Sequence, residues 1–176
     1  MTRSELEHVI RAAGRIARDR EIVVIGSQAV LGQFPDAPAA LLGSMEADVY
    51  PRNHPERAEL IDGAIGEGSS FHEQFGYYAQ GVGAATATLP KGWRARLVSV
   101  KNPNTEGVAG LCLEVHDLAI SKYVAGRAKD LAFTHALARH GLTRAATLLE
   151  RAAATKLEPA LRKLVRGRIR RDFAAR

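Results

Sequence analysis

The sequence has a single cysteine in 176 residues, an aromatic content of only 6%, and no apolar run approaching the length of about eighteen residues that a membrane-spanning helix needs. Cys112, set in the apolar stretch GLCLEV, has no partner for an internal disulfide, so a disulfide-stapled scaffold is excluded and the residue reads as a small buried one. The opening stretch MTRSELEHVIRAAGRI carries apolar residues at helical spacing and lacks the layout of a signal peptide. These absences predict a soluble, cytoplasmic protein in a reducing compartment. The six histidines are scattered. His72-Glu73 has no second histidine at zinc-site spacing, and no zinc centre is expected.

A hydrophobic content of 46% is enough for a substantial core without staples, and the length suits one globular domain. The net charge of +6 is concentrated at one end: from Arg144 to Arg176 ten Lys/Arg stand against Glu150, Glu158 and Asp172, while the preceding residues are close to neutral. Such a basic terminal helix can follow the phosphates of RNA through counterion release, but it is equally a solubilising tail or a face for an acidic partner protein. Only Phe173 interleaves with the cations, so base stacking is not expected there.

Apolar spacing predicts a first helix over Ser4–Asp19, capped by Ser4, with Leu6, Val9, Ile10, Ala13 and Ile16 as its inner stripe. A β-branched strand follows at Glu21–Ile25, a helix starts at Ser27, and Phe34-Pro-Asp-Ala-Pro38 interrupts it. Ala47–Tyr50 reads as a second strand and Glu56–Ile65 as a helix. Three further strands are expected at Gly76–Gly81, Ala84–Leu89 and Arg94–Val100, with Leu111–Val115 another short strand or an extended connection. From Asp117 the pattern is helical, with Gly141 ending one helix and Pro159 opening the last. Residues 1–116 are therefore expected to form an α/β core and residues 117–176 a helical region with a basic tail.

Two constellations carry candidate chemistry. In IVVIGSQAVLG a buried strand runs into Gly26-Ser27, where glycine lets backbone approach a phosphate chain and the serine hydroxyl and free amides of a following helix can cradle its oxygens. In SMEADVYP, Glu46 and Asp48 are two apart on a strand, hence on one face, and can hold a divalent cation between them. Alone, the first pattern is also what any tight strand–helix turn requires, and the second fits two solvated edge acids. Eighteen residues, Gln28 to Met45, separate the two pieces, more than a compact site needs. The second constellation is HDLAISKYVAGRAKD, where Lys122, Arg127, Lys129 and Asp130 on one helix would present cations steadied by an acid, or simply a solvated face. Asp117 reads as the N-cap of that helix.

The blocks GSQAVLGQFPDAP, SMEADVYP, FHEQFGYYAQGVG, TLPKGW and LEVHDLAISKYVAGRAKD, spanning about Glu21 to Leu142, together resemble an uncharacterised bacterial nucleotidyltransferase-like family. The chain is similar, more distantly, to the nucleotidyltransferase toxins of abortive-infection systems. The resemblance implies an α+β, polymerase-beta-like nucleotidyltransferase fold: a small mixed sheet flanked by helices, with a helical C-terminal part closing over the nucleotide. It implies Gly26 and Ser27 as the nucleotide-binding turn, Glu46 and Asp48 as catalytic, metal-binding acids, and Lys122, Arg127 and Asp130 as the helix facing the nucleotide. A magnesium ion and a nucleoside triphosphate are the implied cofactor and substrate.

The superfamily pattern has a third carboxylate on a neighbouring strand. Arg94–Val100, where it is sought, offers arginines instead, and Glu73, Asp62 and Glu114 are the substitutes to be placed. Two functions remain open. One is a transferase that passes a nucleotide monophosphate to RNA or a protein hydroxyl. The other is a catalytically degenerate nucleotide- or nucleic-acid-binding regulatory module, with a partner protein in a toxin–antitoxin-like pair.

Overall fold

Residues 1–174 are described by the structure, a computed structural model; Arg176 of the basic tail lies outside the described residues. Helix α1 (Arg3–Ala17) starts earlier than expected because Thr2, not Ser4, caps it. The Thr2 hydroxyl accepts the Glu5 N–H and the Glu5 carboxylate accepts the Thr2 N–H at 2.7 Å, so two otherwise orphaned donors are satisfied reciprocally. Its apolar stripe, Leu6, Val9, Ile10, Ala13 and Ala17, is fully buried against the sheet.

That sheet has five strands: β1 (Glu21–Val24), β2 (Glu46–Pro51), β3 (Tyr78–Gly81), β4 (Val98–Val100) and β5 (Ala109–Cys112), in the order β3-β2-β1-β5-β4. β1 runs antiparallel to β2 and parallel to β5, β2 parallel to β3, and β4 antiparallel to β5. One face, with Ile22, Val24, Ala47 and Val49 at zero exposure, packs under α1 and α3 (Ala58–Ile65). The alternate residues, Val23, Asp48 and Tyr50, point the other way. Two short helices, α2 (Val30–Gln33) and α4 (Ser70–Phe75), complete the first part of the chain.

Four helices follow, α5 (Val115–Ala125), α6 (Ala128–Arg139), α7 (Ala145–Ala153) and α8 (Pro159–Phe173). Leu118, Ile120, Tyr123, Leu137, Leu148, Val165 and Ile169 from this bundle are buried in the same apolar cluster as the sheet residues. The fold is α+β, a small mixed sheet flanked by helices with a helical C-terminal part, as expected.

Four local expectations need correction. Of the three strands expected between Gly76 and Val100, only shortened first and last ones exist; Ala84–Leu89 forms none. Backbone groups find other partners: the Thr86 N–H donates to the Gly83 carbonyl in a turn, and just past the segment the Lys91 N–H donates to the Ala154 carbonyl at the end of α7. Residues Trp93–Arg96 form a single 3-10 turn instead of the start of a strand. Asp117 is not the cap of α5. Glu114 is, accepting the His116 and Asp117 N–H groups, while Asp117 is fully buried in an ion pair described below. Finally, Lys122 and Lys129 do not share a helix, because Gly126 (φ 66°) ends α5 between them.

Candidate functional site

Strand alternation turns Glu46 and Asp48 to one side of β2 and sends Ala47 and Val49 into the core. The β1–β2 pairing continues one step past β1, where the Ile25 N–H donates to the Asp48 carbonyl at 3.0 Å, and this sets Gly26 beside Asp48. The Asp48 carboxylate lies so close over the Gly26 Cα that any Cβ there would overlap Oδ2. Only glycine fits. Ser27 opens a 3-10 turn, Ser27–Ala29, and stays partly exposed. The long separation of Ser27 from Glu46 is thereby explained: the intervening residues fold as α2 and a turn at Ala39–Leu41, burying Leu31 and Leu41, before the chain returns antiparallel to β1.

The two acids are electrostatically strained. Burial pushes the Asp48 carboxyl up to about 6, the hydrogen bond to Glu46 and the negative charge of Glu46 push in the same direction, and Lys122 and Lys129 oppose them. Without a cation beside it, Asp48 thus favours its protonated form. The β2–β3 register sets Tyr78 beside Glu46 and Gln80 beside Asp48. The Tyr78 hydroxyl donates to Glu46 Oε2 at 3.3 Å and is itself pushed up, by burial and then by the charge of Glu46.

Facing the acids is a corner between two helices. Lys122 comes from the last turn of α5, Arg127, Lys129 and Asp130 from the start of α6. Asp130 is buried and gathers the cations: Arg127 Nε lies 2.6 Å and Lys122 Nζ 3.6 Å from its carboxylate, which also accepts the Arg127 N–H. Burial alone would raise the Asp130 carboxyl, but the Arg127 hydrogen bond and the charge of Lys122 hold it below the usual carboxylate range. Asp130 is therefore a positioning group. The Arg127 guanidinium, raised chiefly by Asp130, also feels Asp48 and Glu46. The residues singled out in the sequence, Gly26, Ser27, Glu46, Asp48, Lys122, Arg127, Lys129 and Asp130, belong to this one region, joined by Tyr78.

None of the substitutes for a third carboxylate reaches it. Asp62 on α3 and Glu73 on α4 are exposed elsewhere, and Glu114 caps α5 while bonding His116 Nδ1 at 2.6 Å. Across from Asp48 on β3 stands the amide Gln80. Among the described residues no group of three or more His, Cys, Asp or Glu is placed to hold a metal ion. Sequence reasoning missed Tyr78, although alternation in GYYAQG sets Tyr78 and Gln80 on one face.

Residues 4–155 match a family described as nucleotidyltransferases of unknown function. The chain belongs to this family, DUF6036. The matched region takes in the sheet, the acid pair and the cation corner, and stops before α8. The five-stranded mixed sheet with its flanking helices is accordingly the nucleotidyltransferase-like fold of a DUF6036 protein. No curated protein and no solved structure matched the chain. Among the described residues no helix is long and apolar enough to cross a membrane.

Proposed function

We propose that this protein is a magnesium-dependent nucleotidyltransferase that moves a nucleoside monophosphate from a nucleoside triphosphate to a hydroxyl of an RNA or protein acceptor in the cytoplasm. The observation that carries the reading is the repelling Glu46–Asp48 pair set between the Gly26-Ser27 turn and the Lys122/Arg127/Lys129 corner. The donor set fits the metal: magnesium is commonly held by one or two carboxylates together with substrate phosphates, and Glu46 and Asp48 are two hard oxygen donors in need of positive charge. Magnesium bound there would offset the repulsion of the two acids and the charge of the phosphates.

The chain's own groups do the rest by position and charge. Gly26 lets the Asp48 carboxylate sit against the turn, and the Ser27 hydroxyl with the amides of that turn donates to phosphate oxygens. Lys122, Arg127 and Lys129 counter the charge gathering on the leaving group, and Asp130 keeps two of them in place before substrate arrives. In the step itself the acceptor oxygen bonds to the α-phosphorus as the bond to the bridging oxygen breaks. Pyrophosphate leaves with that electron pair, and the hydroxyl proton passes to solvent. Such chemistry asks the protein chiefly for positioning and electrostatic stabilisation.

Gln80 beside Asp48, in place of a carboxylate, favours a second reading: a catalytically degenerate module that binds a nucleotide without transferring it, as the regulatory half of a toxin–antitoxin-like pair. Thermal unfolding with ATP, GTP, CTP and UTP, with and without magnesium, tests both. At about 100 times Kd, binding adds about 2.7 kcal/mol. A magnesium-dependent rise that Asp48→Asn abolishes supports the site, and the absence of a rise with every nucleotide would sink it. A rise without pyrophosphate release on RNA or protein selects the second reading.

A further inference from the structure

On the same sheet face as the acid pair, one pleat further along β2, lies a cavity of about 120 Å³. Its floor is Tyr50, the next residue after Asp48 to face that side, together with its cross-strand partner Val23. Its walls are Arg52 at the end of β2 and Trp93, Arg94 and Leu97 from the turn leading into β4. The Arg94 guanidinium stands 4.7 Å over the Trp93 ring. The lining itself carries two guanidiniums and no carboxylate, and Arg52 also holds the Glu21 carboxylate at 3.2 Å, a contact that an incoming phosphate would have to displace. Burial pushes the Tyr50 hydroxyl up while Arg94 and Arg52 act against it, which sets both cations over the cavity floor.

The cationic wall is pre-set. Arg96, in the same turn as Trp93 and Arg94, makes a two-pronged bond to the fully buried Asp117 of α5, 2.8 Å from Nε and 3.0 Å from Nη2, and Arg151 of α7 reaches the same carboxylate at 3.4 Å. The cavity also lies on the far side of the acids from the nucleotide turn. Gly26 adjoins Asp48 through the Ile25–Asp48 bond, whereas Val23 pairs with Tyr50 in the opposite direction along the strand. Successive residues on one face of a strand are about 7 Å apart, so a group seated over Tyr50 is within one nucleotide's reach of Asp48.

We propose that this cavity seats the acceptor, and that the acceptor is single-stranded RNA. Its terminal base stacks on the Trp93–Arg94 pair, its adjoining phosphates lie on Arg52 and Arg94, and its hydroxyl is presented to the nucleotide held at Glu46 and Asp48. The proposal rests on the transferase reading and narrows it. A planar aromatic–guanidinium face flanked by a second guanidinium is the chemistry of single-strand recognition, in which bases stack and phosphates pair with cations. A seryl or threonyl hydroxyl on a protein would need neither. The bond made and broken is the one already described, with the RNA hydroxyl as nucleophile.

Trp93 is the only tryptophan of the chain, so its fluorescence reports on this cavity alone. The probe is a mixed-sequence oligoribonucleotide of about 8 nucleotides, labelled for anisotropy, titrated into the full chain and into an Arg52→Ser/Arg94→Ser variant. The expected result is quenching of Trp93 by the oligonucleotide and a weakening of at least about tenfold in the variant. Loss of two phosphate contacts should also flatten the plot of log K against log salt by about 1.4. The magnesium-dependent thermal shift with nucleotide should persist in the variant, which shows that the nucleotide side is intact. The proposal is overturned if Trp93 is not quenched, if the variant binds as tightly as the native chain, or if labelled nucleotide is transferred to protein but not to RNA. Quenching without any nucleotide-dependent thermal shift would locate the failure in the transferase reading and remove the acceptor role with it.

Discussion

Replacing Asp48 by asparagine should stabilise the protein in the absence of metal while abolishing the proposed magnesium-dependent nucleotide binding. A carboxyl raised from its ordinary value of 3.8 to about 6 is costlier to ionise in the folded chain than in the unfolded one, at about 1.36 kcal/mol per pH unit. The total is about 3 kcal/mol as an upper figure. The sign follows from linkage: protonated Asp48 is the favoured form in the fold, so its contribution is fully present below pH 3.8 and is lost as pH rises through about 6. Asparagine keeps the shape and can still donate to Glu46, but carries no charge. At pH 8 without magnesium, Asp48→Asn should therefore unfold about 4–10 °C above the native protein, at about 2–4 °C per kcal/mol for a chain of this size. At pH 4.5 the gain should shrink to about a third, about 1 kcal/mol, because the folded residue is then protonated while the unfolded one is still mostly ionised. Thermal unfolding by circular dichroism at the two pH values is sufficient. Equal melting temperatures at pH 8, or an equal gain at both, would refute the electrostatic account of the pair and leave two ordinary surface acids worth about 0–1 kcal/mol.

Three further outcomes follow from the same geometry. Gly26→Ala forces the Asp48 carboxylate aside, and should cost about 1–3 kcal/mol and remove the magnesium-dependent nucleotide shift; adding Asp48→Ala to it should restore stability, and a double variant no more stable than the single one counts against the contact. Asp117→Ala strands Arg96 and Arg151 beside an apolar bundle and should cost about 3–5 kcal/mol, read as a lower urea midpoint, whereas an unchanged midpoint would show that the buried pair is dispensable. Tyr78→Phe removes one bond to Glu46 and should lower stability by about 1 kcal/mol with a weaker magnesium half-saturation, and no change in either would separate Tyr78 from the site.

What could be read from the sequence was whatever depends on short spacing. Alternation alone set Glu46 and Asp48 on one face, and an apolar run into Gly26-Ser27 marked the turn, because both are local properties of the backbone. What failed depended on distant partners. Asp117 and Glu114 are two acids at the start of one helix, and which becomes the cap was decided by Arg96 and Arg151, far away in the chain, which claim Asp117. Ala84–Leu89 alternates like a strand, yet strand formation needs a free ladder, and the Thr86 N–H bonds within a turn while the Lys91 N–H just beyond is taken by the end of α7. The helical period through Lys122 and Lys129 ignored Gly126, whose positive φ converts one expected helix face into a corner. The corner still delivers the same cations to the acids, by a route the period could not show.

That corner has an unexpected owner. The Arg168 guanidinium of α8 packs against Gly126 and donates to the Tyr123 carbonyl at 2.6 Å, and Asp172 of α8 accepts from the Tyr123 hydroxyl at 2.7 Å and from Thr134 of α6. Helix α8 lies wholly outside the region matched to the family. The corner between α5 and α6 that carries Lys122 and Arg127 is thus braced by a segment outside the matched region. A change confined to α8 would therefore move Lys122 and Arg127 relative to Glu46 and Asp48 without altering a single residue of the matched region.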